Sequence, residues 1–213
     1  MAGLFSRWIL MQWVWFVAVF GAAFTASAAP LILQGQPCSD LSGYMEILSD
    51  PTNKLTVDQI ASRKDWKATV RGRVPNLDFT SNAIWVRFSL TNRDDQPQKY
   101  FISLEYPVIN AVTFYTTDAR GSMTEERTGL STPATANILP DRHFLFPVSM
   151  GQGETKTVYL KILSPSRITL PVRVMTDQAL LRKAIRDYTI YGALFGLLVL
   201  VILYFVSVGP FLY

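Results

Sequence analysis

The sequence has little of what most catalytic and metal sites are built from. Its 213 residues include one cysteine, Cys38, and one histidine, His143, far apart in the chain. A single cysteine cannot form an internal disulfide, so packing alone must stabilise whatever domain forms. A histidine-based catalytic triad or a multi-histidine metal site has too little material here. We therefore expect no catalytic residues, no metal site and no cofactor.

Charge is also scarce, and it is scattered along the chain. Charged residues make up 17% of the sequence, with a formal net charge of +4. The densest basic patch, at residues 63–73, is typical of a solvated surface, which argues against a nucleic-acid partner. Adjacent carboxylates at 94–95 and 125–126 lie in predicted turns, whereas a glycosidase needs two carboxylates that converge across a cleft. The sequence also lacks a glycine-rich phosphate loop.

What the chain does contain is two long apolar segments. Near the start, Arg7 precedes an apolar run at 8–24 and the small-residue site Ala26-Ser27-Ala28, which is the order of a secretory signal peptide over residues 1–28. An uncleaved anchor is the alternative, and in both cases the following segment is exported. Near the end, residues 188–208 are uncharged and would span about 30 Å as a helix, so they predict a membrane-spanning segment.

The second apolar segment continues a helical pattern that begins before it. Asp177 is a helix cap, and no glycine or proline separates it from Tyr188, so we predict one continuous helix over 177–208. A continuous helix transmits displacement, which favours signalling over simple anchoring. Three basic residues on the exported side oppose the positive-inside rule: Arg182, Lys183 and Arg186.

Residues 29–176 predict one mainly β domain. Two helices are expected first, at 40–49 and at 56–63, and Thr56 and Gln59 of the second match a capping box. A strand is expected within 30–38. Period-two alternation then predicts strands near 83–91, 100–105, 112–116, 143–150, 154–163 and 168–176, with a turn at 118–121 and a loop at 128–140. This order indicates an antiparallel, jelly-roll-like sandwich that starts with a short helix and is followed by one transmembrane helix.

The face opposite the apolar alternation suggests a binding surface. Trp85 and Arg87 share that face of one strand, and Tyr115, Tyr159 and Lys161 occupy the same face of others. An aromatic ring beside a guanidinium can stack on a sugar and donate to its hydroxyls. The alternative is structural: Trp85 would be core, covered by the entry helix through Trp66, and Arg87 would pair with a residue such as Glu105.

Several short stretches carry a family resemblance through their order and spacing. They are LTVDQI at 55–60, IWVRFSLTN at 84–92, LEYP at 104–107, VTFY at 112–115, FLFP at 144–147 and the segment from Gly153 to YLKI at 159–162, with Tyr191-Gly192 opening the membrane helix. From about residue 49 onward, the chain resembles the periplasmic sensor part, extracellular type 2, of bacterial seven-transmembrane receptors with diverse intracellular signalling modules. The resemblance implies a jelly-roll-like domain for carbohydrate or another small ligand, a seven-helix membrane region and a cytoplasmic output module.

Three functions follow in order of preference. The first is a periplasmic small-molecule sensor in the bacterial inner membrane, present as a fragment or truncated product because residues 209–213 end the chain after one membrane helix. The second is a membrane-tethered binding or scaffold module of the envelope, and the third is a tethered hydrolase. A homodimer is a further expectation, supported locally by the small-residue pair Gly192 and Gly196.

Overall fold

The computed structural model of the chain describes residues 28–117, 122–131 and 143–208. Within these ranges the chain forms thirteen strands and two helices. The strands are β1 (Leu31–Leu33), β2 (Cys38–Asp40), β3 (Met45–Asp50), β4 (Lys67–Ala68), β5 (Asn76–Leu77), β6 (Ala83–Asn92), β7 (Gln98–Leu104), β8 (Ala111–Thr117), β9 (Met123–Thr128), β10 (Phe144–Met150), β11 (Thr155–Leu163), β12 (Ile168–Thr169) and β13 (Val172–Thr176). The helices are α1 (Val57–Ala61) and α2 (Asp177–Val208). The predicted signal peptide, the turn at 118–121 and most of the loop at 128–140 lie outside the described residues.

Two antiparallel sheets form the sandwich that the alternation predicts. The large sheet has the order β4-β3-β6-β11-β8-β9, and the small sheet has the order β10-β7-β13-β2. β1 joins the far end of β6 in parallel, beyond the last residue paired with β3, and β12 pairs with β5 in a separate ribbon. The mainly β, sandwich-like prediction is therefore confirmed.

The core lies between the inner faces of the two sheets. Alternate residues of β6, β8 and β11 from the large sheet meet those of β7, β10 and β13 from the small sheet. Phe114 of β8 stacks on Phe146 of β10, with ring centroids 4.6 Å apart and planes 2° from parallel. This stacked pair joins the two layers directly, and both rings are almost fully buried.

The predicted helix at 56–63 is present as α1, and its start is the one that the capping box specifies. Gln59 donates its backbone N–H to the Thr56 side chain, while the Gln59 side chain accepts from the Thr56 N–H at 3.0 Å. These two bonds satisfy amide groups that a helix leaves unpaired at its first turn. Ile60 is fully buried and anchors α1 over the outer face of the large sheet.

The helix predicted at 40–49 is wrong, because the segment forms β2, a turn and β3. Six consecutive residues of β3 pair with β6, so a long-range ladder overrides the apolar spacing that suggested a helix. Gly43 makes the turn with φ +85°, and a Cβ there would lie 2.5 Å from the Arg71 Cα, so only glycine fits. The polar edge strand β9, which has no apolar alternation, was not predicted at all.

The long C-terminal helix is confirmed as one continuous element of 32 residues, α2, which is long and apolar enough to cross a membrane. Its first turns pack against β7 and β13 of the small sheet. Glu105, just beyond β7, pairs with Lys183 of α2 and lies 3.6 Å from Arg173 of β13. This pairing holds the membrane-proximal part of α2 against the small sheet.

Candidate functional site

The five predicted site residues lie together on the outer face of the large sheet. Three neighbouring strands supply them in register: Arg87 of β6 faces Tyr159 of β11, which faces Tyr115 of β8. Trp85 faces Lys161 one step along the same pair of strands. The period-two argument therefore placed these side chains on one surface, although their binding role stays a prediction.

Trp85 supports this surface from beneath. It is 0% exposed and packs with Leu48 and Ile60 under α1. The Tyr115 ring stacks on the indole with centroids 5.7 Å apart, and the Lys161 ammonium lies 5.2 Å from the Trp85 ring centroid. The structure thus has Trp85 in the covered position that the structural interpretation described.

Arg87 is the partly buried end of this layer, and its partner differs from the one expected. Its Nε donates to Glu46 Oε2 at 2.8 Å, and its guanidinium lies 4.4 Å from the Trp66 ring centroid. The expected pairing with Glu105 is wrong, because Glu105 belongs to the small sheet and holds Lys183 and Arg173 there. Glu46 was missed because its segment was assigned to a helix, and its place beside Arg87 follows from the pairing of β3 with β6.

A small cavity of about 230 Å³ opens beside the Arg87–Glu46 pair. It is smaller than typical ligand pockets, which enclose roughly 300–1,000 Å³. Ser89 and Thr157, whose hydroxyls lie 3.0 Å apart, line the cavity together with Tyr159. The remaining lining residues are Tyr44 and Phe88, together with Ala28, the last residue of the predicted signal peptide. A cavity of this size and polarity fits one small polar ring or a comparable group.

Tyr115 and Lys161 lie farther from the cavity and stabilise its surroundings. Lys161 Nζ donates to the backbone carbonyls of Asn53 and Leu55 at 3.1 and 3.3 Å, which fixes the loop that leads into α1. Burial raises the pKa of the Tyr115 hydroxyl, and the nearby Glu125 carboxylate raises it further. Within the described ranges, no group of three histidine, cysteine or carboxylate side chains is placed to hold a metal ion.

Comparison with known proteins identifies one family. The family model described as 7TMR-DISM extracellular 2 matches residues 42–176, well over half of the chain. No curated protein matches the chain.

Two solved structures show weak similarity. The tryptic core variant of Bacillus thuringiensis Cry1Da aligns with a TM-score of 0.32 and 13% identity. The alignment covers 71% of this chain and 25% of the Cry1Da chain. The structure of TmCBM61 in complex with beta-1,4-galactotriose aligns with a TM-score of 0.27 and 7% identity, over 66% of this chain and 87% of its own. Similarities at these TM-scores carry no argument about function.

Proposed function

This chain belongs to the 7TMR-DISM extracellular 2 family, and from that premise we propose that its sandwich is the periplasmic small-ligand sensor of a membrane receptor. The domain is exported and α2 anchors it to the membrane. The ligand binds at the outer face of the large sheet, in the cavity beside Arg87. Carbohydrate is the ligand class that this cavity favours.

The carrying observation is the chemistry of that cavity. Arg87 offers guanidinium donors and Glu46 offers carboxylate acceptors, and the two charges neutralise each other. A neutral ligand with many hydroxyls can use both groups, whereas an anion would have to displace Glu46 from its partner. The Ser89 and Thr157 hydroxyls add weaker donors and acceptors, and aromatic rings suit the apolar face of a sugar. The pattern therefore favours a neutral carbohydrate over an anionic ligand.

Signal transmission is supported by the way α2 leaves the domain. The helix begins directly after β13 and is continuous to Val208, so a shift of the small sheet moves the whole helix. Rigid-body movement of packed elements is a common way to carry a signal between sites.

A tethered envelope-binding module without signalling is the second candidate. One observation favours it: the cavity lies on the large sheet, while α2 packs on the small sheet. In that case α2 would only hold the domain near the membrane. The ligand site would be the same in both functions.

A binding experiment tests the proposed site. We would screen the full chain in detergent micelles by thermal shift against neutral oligosaccharides, amino acids and small anions, and then titrate each hit by calorimetry. Arg87→Met keeps the aliphatic stem but removes the donors, so we expect at least about a tenfold loss of affinity, equivalent to about 1.4 kcal/mol. Arg63→Met is the matched control, because Arg63 is an exposed arginine paired with Asp65.

Two results would contradict the proposed function. One is that the folded chain binds none of the neutral oligosaccharides in the screen. The other is an oligosaccharide that binds equally to the wild type and to Arg87→Met, since that ligand would occupy another surface.

A further inference from the structure

The inward-facing positions of the large sheet become polar at one end of the sandwich. Along β11, Val158 is buried in the core, whereas two residues earlier the inward-facing residue is Lys156. Along β8, Phe114 is followed at the next inward position by Thr116, whose cross-strand partner on β9 is Thr124. Apolar residues at these positions would be buried at a lower cost in free energy, because polar groups lose their hydration on burial.

These polar residues line a second cavity, between the two sheets, of about 660 Å³. Its volume lies within the usual range of small-molecule pockets. It shares no lining residue with the cavity beside Arg87. Both sheets contribute lining residues. The large sheet contributes through β8, β9 and β11, and the small sheet through β7 and β10. The lining residues of β7 and β10 include Gln98, Lys99, Val148, Ser149 and Met150.

Lys156 is the principal charge in this cavity. Lys156 is only 9% exposed. Its Nζ donates to the Ser149 carbonyl at 2.8 Å and lies 3.5 Å from Glu154 Oε1. An ammonium has three N–H donors, so these two contacts leave one available. Glu154 is the single carboxylate among the lining residues. The Lys99 ammonium lies 5.2 Å from the Phe101 ring centroid, on the outer side of the small sheet, so Lys156 is the cation that an acceptor ligand in this cavity would meet.

Thr116 supplies a second unused donor. Its Oγ1 is buried and, among the described residues, makes no hydrogen bond. Leaving a buried hydroxyl unpaired is costly in a folded protein, so such groups call for an explanation. A ligand that accepts from this hydroxyl would provide one.

We propose that this intersheet cavity binds a small organic carboxylate. The carboxylate accepts hydrogen bonds from Lys156 Nζ and from the Thr116 hydroxyl, and its carbon chain packs against Pro147 and Met150. A bound ligand would contact Gln98 and Lys99 of β7, the strand that pairs with β13 and supports α2. The site is therefore placed to influence the helix independently of the cavity beside Arg87.

The test uses the full chain in detergent micelles, with sodium hexanoate as the probe and hexanamide as its uncharged counterpart. We expect hexanoate to raise the melting temperature at constant ionic strength and hexanamide to have no such effect. Thr116→Val removes the hydroxyl at nearly constant shape, so it should leave the unliganded protein equally or more stable while weakening hexanoate about tenfold. Lys156→Met should abolish the hexanoate effect, and Arg63→Met should leave it unchanged.

The outcomes are separable. If Lys156→Met does not fold, Thr116→Val alone decides. The proposal is overturned if hexanoate fails to stabilise the wild type, if hexanamide stabilises it equally, or if Thr116→Val binds hexanoate with unchanged affinity. Loss of oligosaccharide binding in Arg87→Met has no bearing on this result, because the two cavities share no residues.

Discussion

The two outer faces of the sandwich differ in what covers them. On the large sheet, α1 covers Trp85 but leaves Arg87 and the adjacent cavity accessible. On the small sheet, Phe101 and Met175 are buried on the outer side, where α2 packs. One face thus offers a small polar cavity and the other is attached to the membrane helix. The candidate cavity and α2 therefore lie on opposite sides of the core.

The packed core is a direct physical connection between the two faces. The Phe114–Phe146 stack lies on one route through it, since β8 pairs with β11 at the candidate site and β10 pairs with β7, against which α2 packs. Packed interiors transmit displacement because they are dense and resist compression.

Removing one ring of the Phe114–Phe146 stack should have the largest effect on the free energy of unfolding. Phe146→Ala deletes a fully buried ring, and we expect a loss of about 3–5 kcal/mol of unfolding free energy. Chemical denaturation followed by circular dichroism measures it. Phe79→Ala is the matched control, because Phe79 is 74% exposed and its loss should cost less than about 0.5 kcal/mol. Equal costs for both variants would show that the stack does not join the sheets.

The position of α1 over the outer face of the large sheet should depend on Asp50. Its carboxylate accepts from the Thr52 and Leu55 N–H groups at 2.9 and 3.0 Å, which shapes the loop into α1. Burial raises the pKa of Asp50, but these hydrogen bonds outweigh burial and the net pKa is lowered. We expect Asp50→Asn to cost about 2 kcal/mol at neutral pH.

The pH dependence has a definite sign. Because the folded pKa lies below that of the unfolded chain, the stabilisation from Asp50 is complete above about pH 4 and is lost as the pH falls through the folded value. Urea midpoints of the wild type and Asp50→Asn should therefore converge on acidification. A difference that widens towards low pH would contradict this account.

The attachment of α2 should respond to Glu105 with a smaller effect. Glu105→Gln weakens the contacts with Lys183 and Arg173, and because these groups are partly exposed we expect a cost of only about 1 kcal/mol. Hydrogen exchange over residues 177–187 should accelerate. Asp65→Asn, at an exposed pair, is the control and should alter neither quantity. Unchanged exchange in Glu105→Gln would show that the ion pairs do not hold α2.

The sequence predicted features that depend on near neighbours. The Thr56–Gln59 capping box, the alternation along β6 and the uninterrupted α2 are all properties of contiguous residues, and all three are present. β3 could not be recognised in this way, because its conformation depends on pairing with β6 across about forty residues of sequence.

Long-range pairing also explains why only part of the candidate site could be predicted from the sequence. The face of Trp85, Arg87 and Tyr159 follows from strand periodicity, whereas the Glu46 partner of Arg87 follows from the register between β3 and β6. The intersheet cavity is lined by residues of two separate sheets, whose relative placement no local pattern encodes.

The central claim is that a ligand on the large sheet moves the helix on the small sheet. The single exposed cysteine, Cys38 of β2, can be spin-labelled together with Arg182→Cys on α2, and their distance distribution can be measured by pulsed electron resonance in lipid nanodiscs. We predict that the oligosaccharide selected by the screen shifts this distribution, and that Arg87→Met abolishes the shift. An unchanged distribution at saturating ligand would contradict the sensor and leave a tethered binding module.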